Sequence, residues 1–211
     1  MKGLNSGLIR YNLKLIPKAS LIVSVLLLLA IQAFFSLERA DFSDMARIGE
    51  TYVSILGIIL IPGAAFIDEN PDIKEIVYSK SVATVFPSII RLIYLATILF
   101  FGIVVFVAAS VMQGGNFNEG SIVAGVFISA LLLGATGYLV GTFLNNIALS
   151  YLIPFGYYGL ELSTKGKYTK GFYLFSLQNG HLQREKWILL TIAILFFVIG
   201  LTYMGNKKTC I

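Results

Sequence analysis

The sequence predicts an all-α, polytopic membrane fold: about six transmembrane helices, an amphipathic interfacial helix before them, and a short helix between two of the spans. Three observations predict it. Hydrophobic residues make up 57% of the 211-residue chain and charged residues only 13%, with a mean hydropathy of +0.83; a soluble domain carries about a quarter charged residues. Apolar runs long enough to cross a bilayer recur along the chain, separated by polar stretches. The 16 Lys and Arg, which give a net charge of +5, lie in those stretches rather than in one stripe. That distribution suits headgroup anchoring and topology setting, and without a face of interleaved basic and aromatic side chains it excludes nucleic-acid binding.

Residues 1–18 precede the transmembrane domain. Leu4, Leu8, Tyr11 and Leu15 share a helical face, with Arg10, Lys14 and Lys18 off it, the pattern of a basic helix lying in the membrane interface; the alternative is a frayed basic tail. Pro17 bends the chain toward the bilayer. The first apolar run begins near Ala19 and has no small-residue cleavage site, so a cleavable signal peptide is not expected.

The transmembrane domain, 19–206, resolves into spans at about 20–37, 51–67, 86–112, 121–143, 146–160 and 187–204. Lys2, Arg10, Lys14 and Lys18 precede the first span, and only Arg39 and Arg47 follow it, so the N-terminus is expected in the cytoplasm of a cell, specifically a bacterial plasma, membrane. The polar stretch Glu38 to Glu50 is read as a connector. Arg91, near one end of the third span, is expected to snorkel. The 41 residues Gly120 to Leu160 contain no Asp, Glu, Lys or Arg; as one helix they would reach about 60 Å, twice a hydrocarbon core, so the run is split at Asn145-Asn146. Residues 161–186 form a polar loop with a short aromatic interfacial helix, and 207–211 a cytoplasmic tail. Six spans leave Lys165, Lys167, Lys170, Arg184 and Lys186 outside, against the charge rule; five spans, with 147–160 re-entrant, would place them inside. Hydrophobic length favours six, and late loops weigh less on orientation than the first helix.

Catalytic constellations are missing from the sequence, so no enzyme activity is expected of this chain. His181 is the one histidine and Cys210 the one cysteine, too few for a His or Cys metal site or a disulfide. There is no phosphate-binding glycine loop for nucleotide. With the spans so bounded, none holds Asp, Glu or Lys near its middle, which argues against a charged proton or ion relay.

Two segments carry candidate roles. In Asp68 to Phe86, Asn70 is a good N-cap, Pro71 suits the first helical position, and Asp72 complements the helix dipole. Ile73, Ile76 and Val77 share a face, while Lys74, Glu75, Tyr78, Ser79 and Lys80 complete the helix 70–80. Such a capped amphipathic helix can dock in a groove on a soluble partner; an ordinary connector lying on the membrane is the alternative. In the fourth span Ala130, Gly134, Gly137 and Gly141 form a ridge of small residues, for packing within the subunit or against a second chain. Asn145 and Asn146 either line a pathway or end a helix.

The run from Asp68 to Lys80, DENPDIKEIVYSK, resembles the first cytoplasmic loop of permease subunits of type-two ABC exporters, although Ser81 stands where that pattern has Pro. The layout is similar too: a basic elbow helix (1–18), six spans, and a polar segment before the last. The resemblance implies that Pro71 to Lys80 is a coupling helix seated on a separate ATPase. It also implies two such ATPases holding ATP and Mg, and a second permease chain, identical or homologous, completing the unit. No cofactor is expected in this chain. The implied activity is efflux of a hydrophobic or amphipathic substrate such as an antimicrobial or self-made peptide, a drug or a lipid-like molecule. A non-transporting scaffold or immunity protein and an ATP-independent carrier are the other readings. A carrier is expected to show repeats, or charged and broken helices at mid-membrane.

Overall fold

Helix starts and stops in this chain are set by residues that cannot continue a helix. The computed structural model describes residues 15–35, 37–69, 85–180 and 184–209. Pro17, extended and lacking an amide hydrogen, precedes α1 (Lys18–Phe34). The second helical rod is composite: α2 (Phe42–Ile48), a π-helical turn (Gly49–Val53), α3 (Ile55–Leu60) and a 3-10 stretch (Pro62–Glu69). After residues 70–84 come α4 (Val85–Met112) and α5 (Glu119–Leu144). At the start of α5, Asn118 accepts a 3.1 Å hydrogen bond from the Ser121 amide, and Glu119 sits in the first turn, complementing the exposed amides there. Asn145 ends α5 in the left-handed region, and Asn146 starts α6 (Ile147–Thr164) by accepting from the Ala148 and Leu149 amides. After 3-10 turns at Lys170–Phe172 and Ser176–Asn179, α7 (Arg184–Thr209) completes the fold. Among the described residues there is no strand. The all-α prediction holds.

Four rods are long and apolar enough to cross a membrane: Phe42–Ile67, Val85–Met112, Glu119–Leu144 and Arg184–Asn206. Lys18–Phe34 is a shorter apolar helix. The helices alternate in direction between two ends of a bundle. At one end Pro17, Gly63 and Tyr151 come together, and the Ser88 hydroxyl lies 3.3 Å from Met204 Sδ. At the other the Arg39 amide donates to the Gln113 carbonyl and the Ser110 hydroxyl to that of Leu37.

Helix α5 is central, packed by the composite rod, α4, α6 and α7. Its small-residue ridge makes that close packing possible. A Cβ on Gly57 of α3 would overlap the Ala130 carbonyl, and one on Gly134 would strike Ile61. At Gly137 an added Cβ would come within 2.5 Å of Pro62 Cγ and 2.6 Å of the Ser150 carbonyl. Pro154 has no amide for Ser150 to bond four residues back, so bare helix α5 lies against that freed carbonyl. The ridge is therefore occupied inside the subunit. Outward faces of α1, α4 and α7 carry large exposed apolar side chains, among them Ile22, Leu26, Ile93, Phe101, Val105, Leu195 and Val198. An apolar belt of that extent calls for lipid.

Several boundaries differ from the sequence expectation. Helical structure in the second rod starts at Phe42, inside the stretch read as a polar connector, because Met45, Ala46 and Ile48 already face inward. Arg91 is 1% exposed and turned into the bundle, not snorkelling. Within the loop 161–186 the expected short aromatic helix is replaced by two 3-10 turns, and residues 174–177 fold inward.

A buried charge cluster under a folded-in loop

At the loop-bearing end the composite rod, α6 and α7 each place one charged residue on an inward stripe. Glu50 lies four residues after buried Ala46 and three before buried Val53. Glu161 continues the buried face Ser150, Pro154, Tyr158 of α6. Lys186 stands three residues before Leu189, which is fully buried. All three charged side chains are 0% exposed.

Lys186 is the hub. Its ammonium pairs with Glu50 Oε1 and donates to the Ser129 hydroxyl at 2.6 Å and to the Leu174 carbonyl at 2.5 Å. Three donated protons thus meet three acceptors, the full capacity of an ammonium. Ser129, on α5, also lies 3.0 Å from the Leu174 carbonyl. Glu50 Oε1 accepts from the Leu177 amide at 3.2 Å, and Glu161 Oε2 from the Leu174 amide at 3.4 Å. A buried ion pair persists only when its desolvation is offset by such further hydrogen bonds.

The π turn brings Glu50 to this position. Its wider winding closes a Ser54 amide to Gly49 carbonyl bond five residues apart, at 3.0 Å. Neighbouring carbonyls are taken up by side chains, the Ser54 hydroxyl donating to Glu50 O and the Tyr158 hydroxyl to Thr51 O, each at 2.5 Å. Gly49 packs against Val126 of α5 with no space for a side chain. Single π turns inside helices are frequent at functional sites.

The loop 165–180 covers the cluster. Leu174, Phe175 and Leu177 are buried to 0–1%. Phe175 meets the Tyr158 and Tyr173 rings edge-on at 5.6 and 5.9 Å, and Leu177 seats on α5 at Gly125. The Tyr157 hydroxyl donates to the Phe172 carbonyl at 2.8 Å. Burial, with Glu50, Glu161 and Glu185 nearby, pushes the Tyr173 phenol above its usual range.

Sequence reasoning missed this cluster because Glu50, Glu161 and Lys186 each fall where an apolar run meets a polar stretch. The signal available was their register: each continues the inward stripe of its own helix. Of the residues singled out from sequence, Ala130, Gly134, Gly137 and Gly141 pack inside the bundle, and Asn145 and Asn146 are exposed caps of a two-residue turn. The coupling segment Pro71–Lys80, His181 and Cys210 lie outside the described residues, as does the elbow helix up to residue 14. Among the described residues no three His, Cys, Asp or Glu side chains converge as metal ligands would. The cluster holds opposite charges and backbone groups together.

Fold and composition define a membrane-embedded, all-helical protein with four rods able to cross a bilayer. No family model, curated protein or solved structure matches the chain.

Proposed function

We propose that this chain is the permease subunit of an ATP-driven ABC exporter of the type-two class, moving a hydrophobic or amphipathic cargo such as a peptide, drug or lipid-like molecule. The observation that carries the reading is the segment Asp68 to Lys80. Its capping pattern and its apolar face of Ile73, Ile76 and Val77 suit a helix docked on a soluble ATPase. It joins Glu69 to Val85, and Val85 adjoins Gly205, at the end of the bundle away from the charge cluster. In this reading that end faces the cytoplasm of a bacterial cell, with the N-terminus, as the early Lys and Arg favour. Nucleotide binding and hydrolysis in two partner ATPases would bias a pair of permeases between inward- and outward-facing forms through differential contact at this segment. ATP and Mg would belong to those partners.

Exchanging Ile73 and Ile76 for Asp tests it. The variant is expected to insert into the membrane normally and lose its co-purifying ATPase. Retention of the ATPase, or export by a chain purified with no nucleotide-hydrolysing companion, defeats the reading.

One observation favours a second reading, an ATP-independent carrier: a helix broken by a π turn and bearing buried Glu50 opposite Lys186, features that mark ion and substrate paths. Uptake into proteoliposomes driven by an ion gradient alone, and lost on Glu50→Gln, would favour it. Dependence on the ATPase would favour the exporter.

A further inference from the structure

The loop over the charge cluster has the construction of a lid. Both of its boundaries lie in the left-handed region that favours glycine: Lys165 and Gly166 at φ 50° and 75°, Gly180 at φ 108°. Such positions absorb large dihedral changes. A Cβ at Gly180 would meet nothing within 4 Å among the described residues. Among the described side chains between them only Leu174, Phe175, Ser176 and Leu177 are buried, whereas Gly171 and Phe172 stay exposed. The buried part packs Leu174, Phe175 and Leu177 into the core, and its hydrogen bonds to side chains from four different rods are all made by backbone groups: Leu177 N–H to Glu50, Leu174 C=O to Lys186 and Ser129, and Leu174 N–H to Glu161. The attachments are uneven. They are 2.5 Å at Lys186 but 3.4 Å at Glu161, whose Oε1 has no hydrogen-bond partner among the described residues, as is also true of Ser176 Oγ.

We infer that residues 166–180 are a releasable lid over this end of the bundle, latched shut by the Glu50–Lys186 pair. Backbone groups leaving the cluster find equivalent partners in water, so the lid can swing out without unfolding a helix. The charged side chains left behind would then line a wet opening between the composite rod, α5, α6 and α7. This inference does not depend on an ATPase partner.

The test uses the full chain in vesicles, with Cys210→Ser and one reporter cysteine, and reads the rate of labelling by a membrane-impermeant thiol reagent. Leu177→Cys reports the lid, Gly171→Cys a site already exposed, and Leu133→Cys the bundle core. Neutralising the latch with Glu50→Gln and Lys186→Met is expected to raise labelling at residue 177 about tenfold, as loss of a charged hydrogen bond allows. The reagent should act from the side on which residue 171 is labelled, and the rates at 171 and 133 should not change. A rate at 177 within about twofold of the parent overturns the lid, the change being smaller than one hydrogen bond. So does a parallel rise at 133, because the bundle as a whole has then opened. If the paired variant does not accumulate, Ser129→Ala carries the test, with about a threefold rise expected at 177 and no rise overturning the inference.

Discussion

Lys186 donates to the Leu174 carbonyl at 2.5 Å while its ammonium is paired with Glu50, and neither charged side chain reaches solvent. One lysine thus ties the start of the last helix to the second rod and to the loop between α6 and α7. Removing either charge strands the other in a low-dielectric interior.

Single substitutions at this pair are therefore expected to be severe. Lys186→Met or Glu50→Gln alone should lower stability by about 3–5 kcal/mol. The double variant should lose less than the sum of the two, because neutral side chains of similar length can pack there. A double-mutant cycle of thermal unfolding in detergent measures this, and additive losses would contradict a direct pairing.

Gly137→Ile tests the packing of the central helix. With Pro62 Cγ only 2.5 Å from a first added carbon, the branched side chain cannot be accommodated without displacing the composite rod or α6. A loss of at least about 1–3 kcal/mol is expected, seen as earlier thermal aggregation and poorer recovery from membranes. Parent-like stability would contradict the packing described.

Asn146→Ala separates a cap from a pathway residue. The side chain accepts from two amides at the start of α6 and is exposed. The substitution should cost about 1 kcal/mol and, if the proposed exporter reading holds, leave export unchanged. Lost export at parent-like stability would place Asn146 on the path.

Sidedness follows from the alternation of the helices. A single cysteine at Gly171 should be labelled from the face opposite an N-terminal tag, as five crossings, an odd number, separate the loop from the N-terminus. Labelling from the same face as the tag would mean that α6 does not cross, the five-span arrangement.

Much of the fold is legible in the sequence because lipid imposes one simple demand, that backbone polar groups be satisfied within each apolar run. The limits of α4 and α5 and the break at Asn145-Asn146 follow from that demand and from capping chemistry. The charge cluster was not legible in the same way. Glu50 reads as the last residue of a polar stretch if hydropathy is averaged over a window, and as an inward residue only if the stripe of Met45, Ala46 and Val53 is followed one residue at a time. The π turn adds a further obstacle, since it shifts register within the rod and nothing in Gly-Glu-Thr-Tyr-Val announces it. The short aromatic helix expected within 161–186 was not realised for a related reason. The aromatic stretch Phe172, Tyr173, Phe175 and Leu177 suggested an interface, while Leu174, Phe175 and Leu177 are buried by partners far away in sequence.

The small-residue ridge has a consequence for any pairing of this chain with a second copy. Glycine seams are where helices in hydrocarbon find contacts that lipid cannot match, and here Gly134, Gly137 and Gly141 already face Ile61, Pro62 and Phe66 of the same subunit. A neighbour would have to settle on bulky side chains such as Phe101 or Val198, for which acyl chains compete on nearly equal terms. The yield of dimers should then follow the chain length and packing of the surrounding amphiphile more closely than the protein concentration.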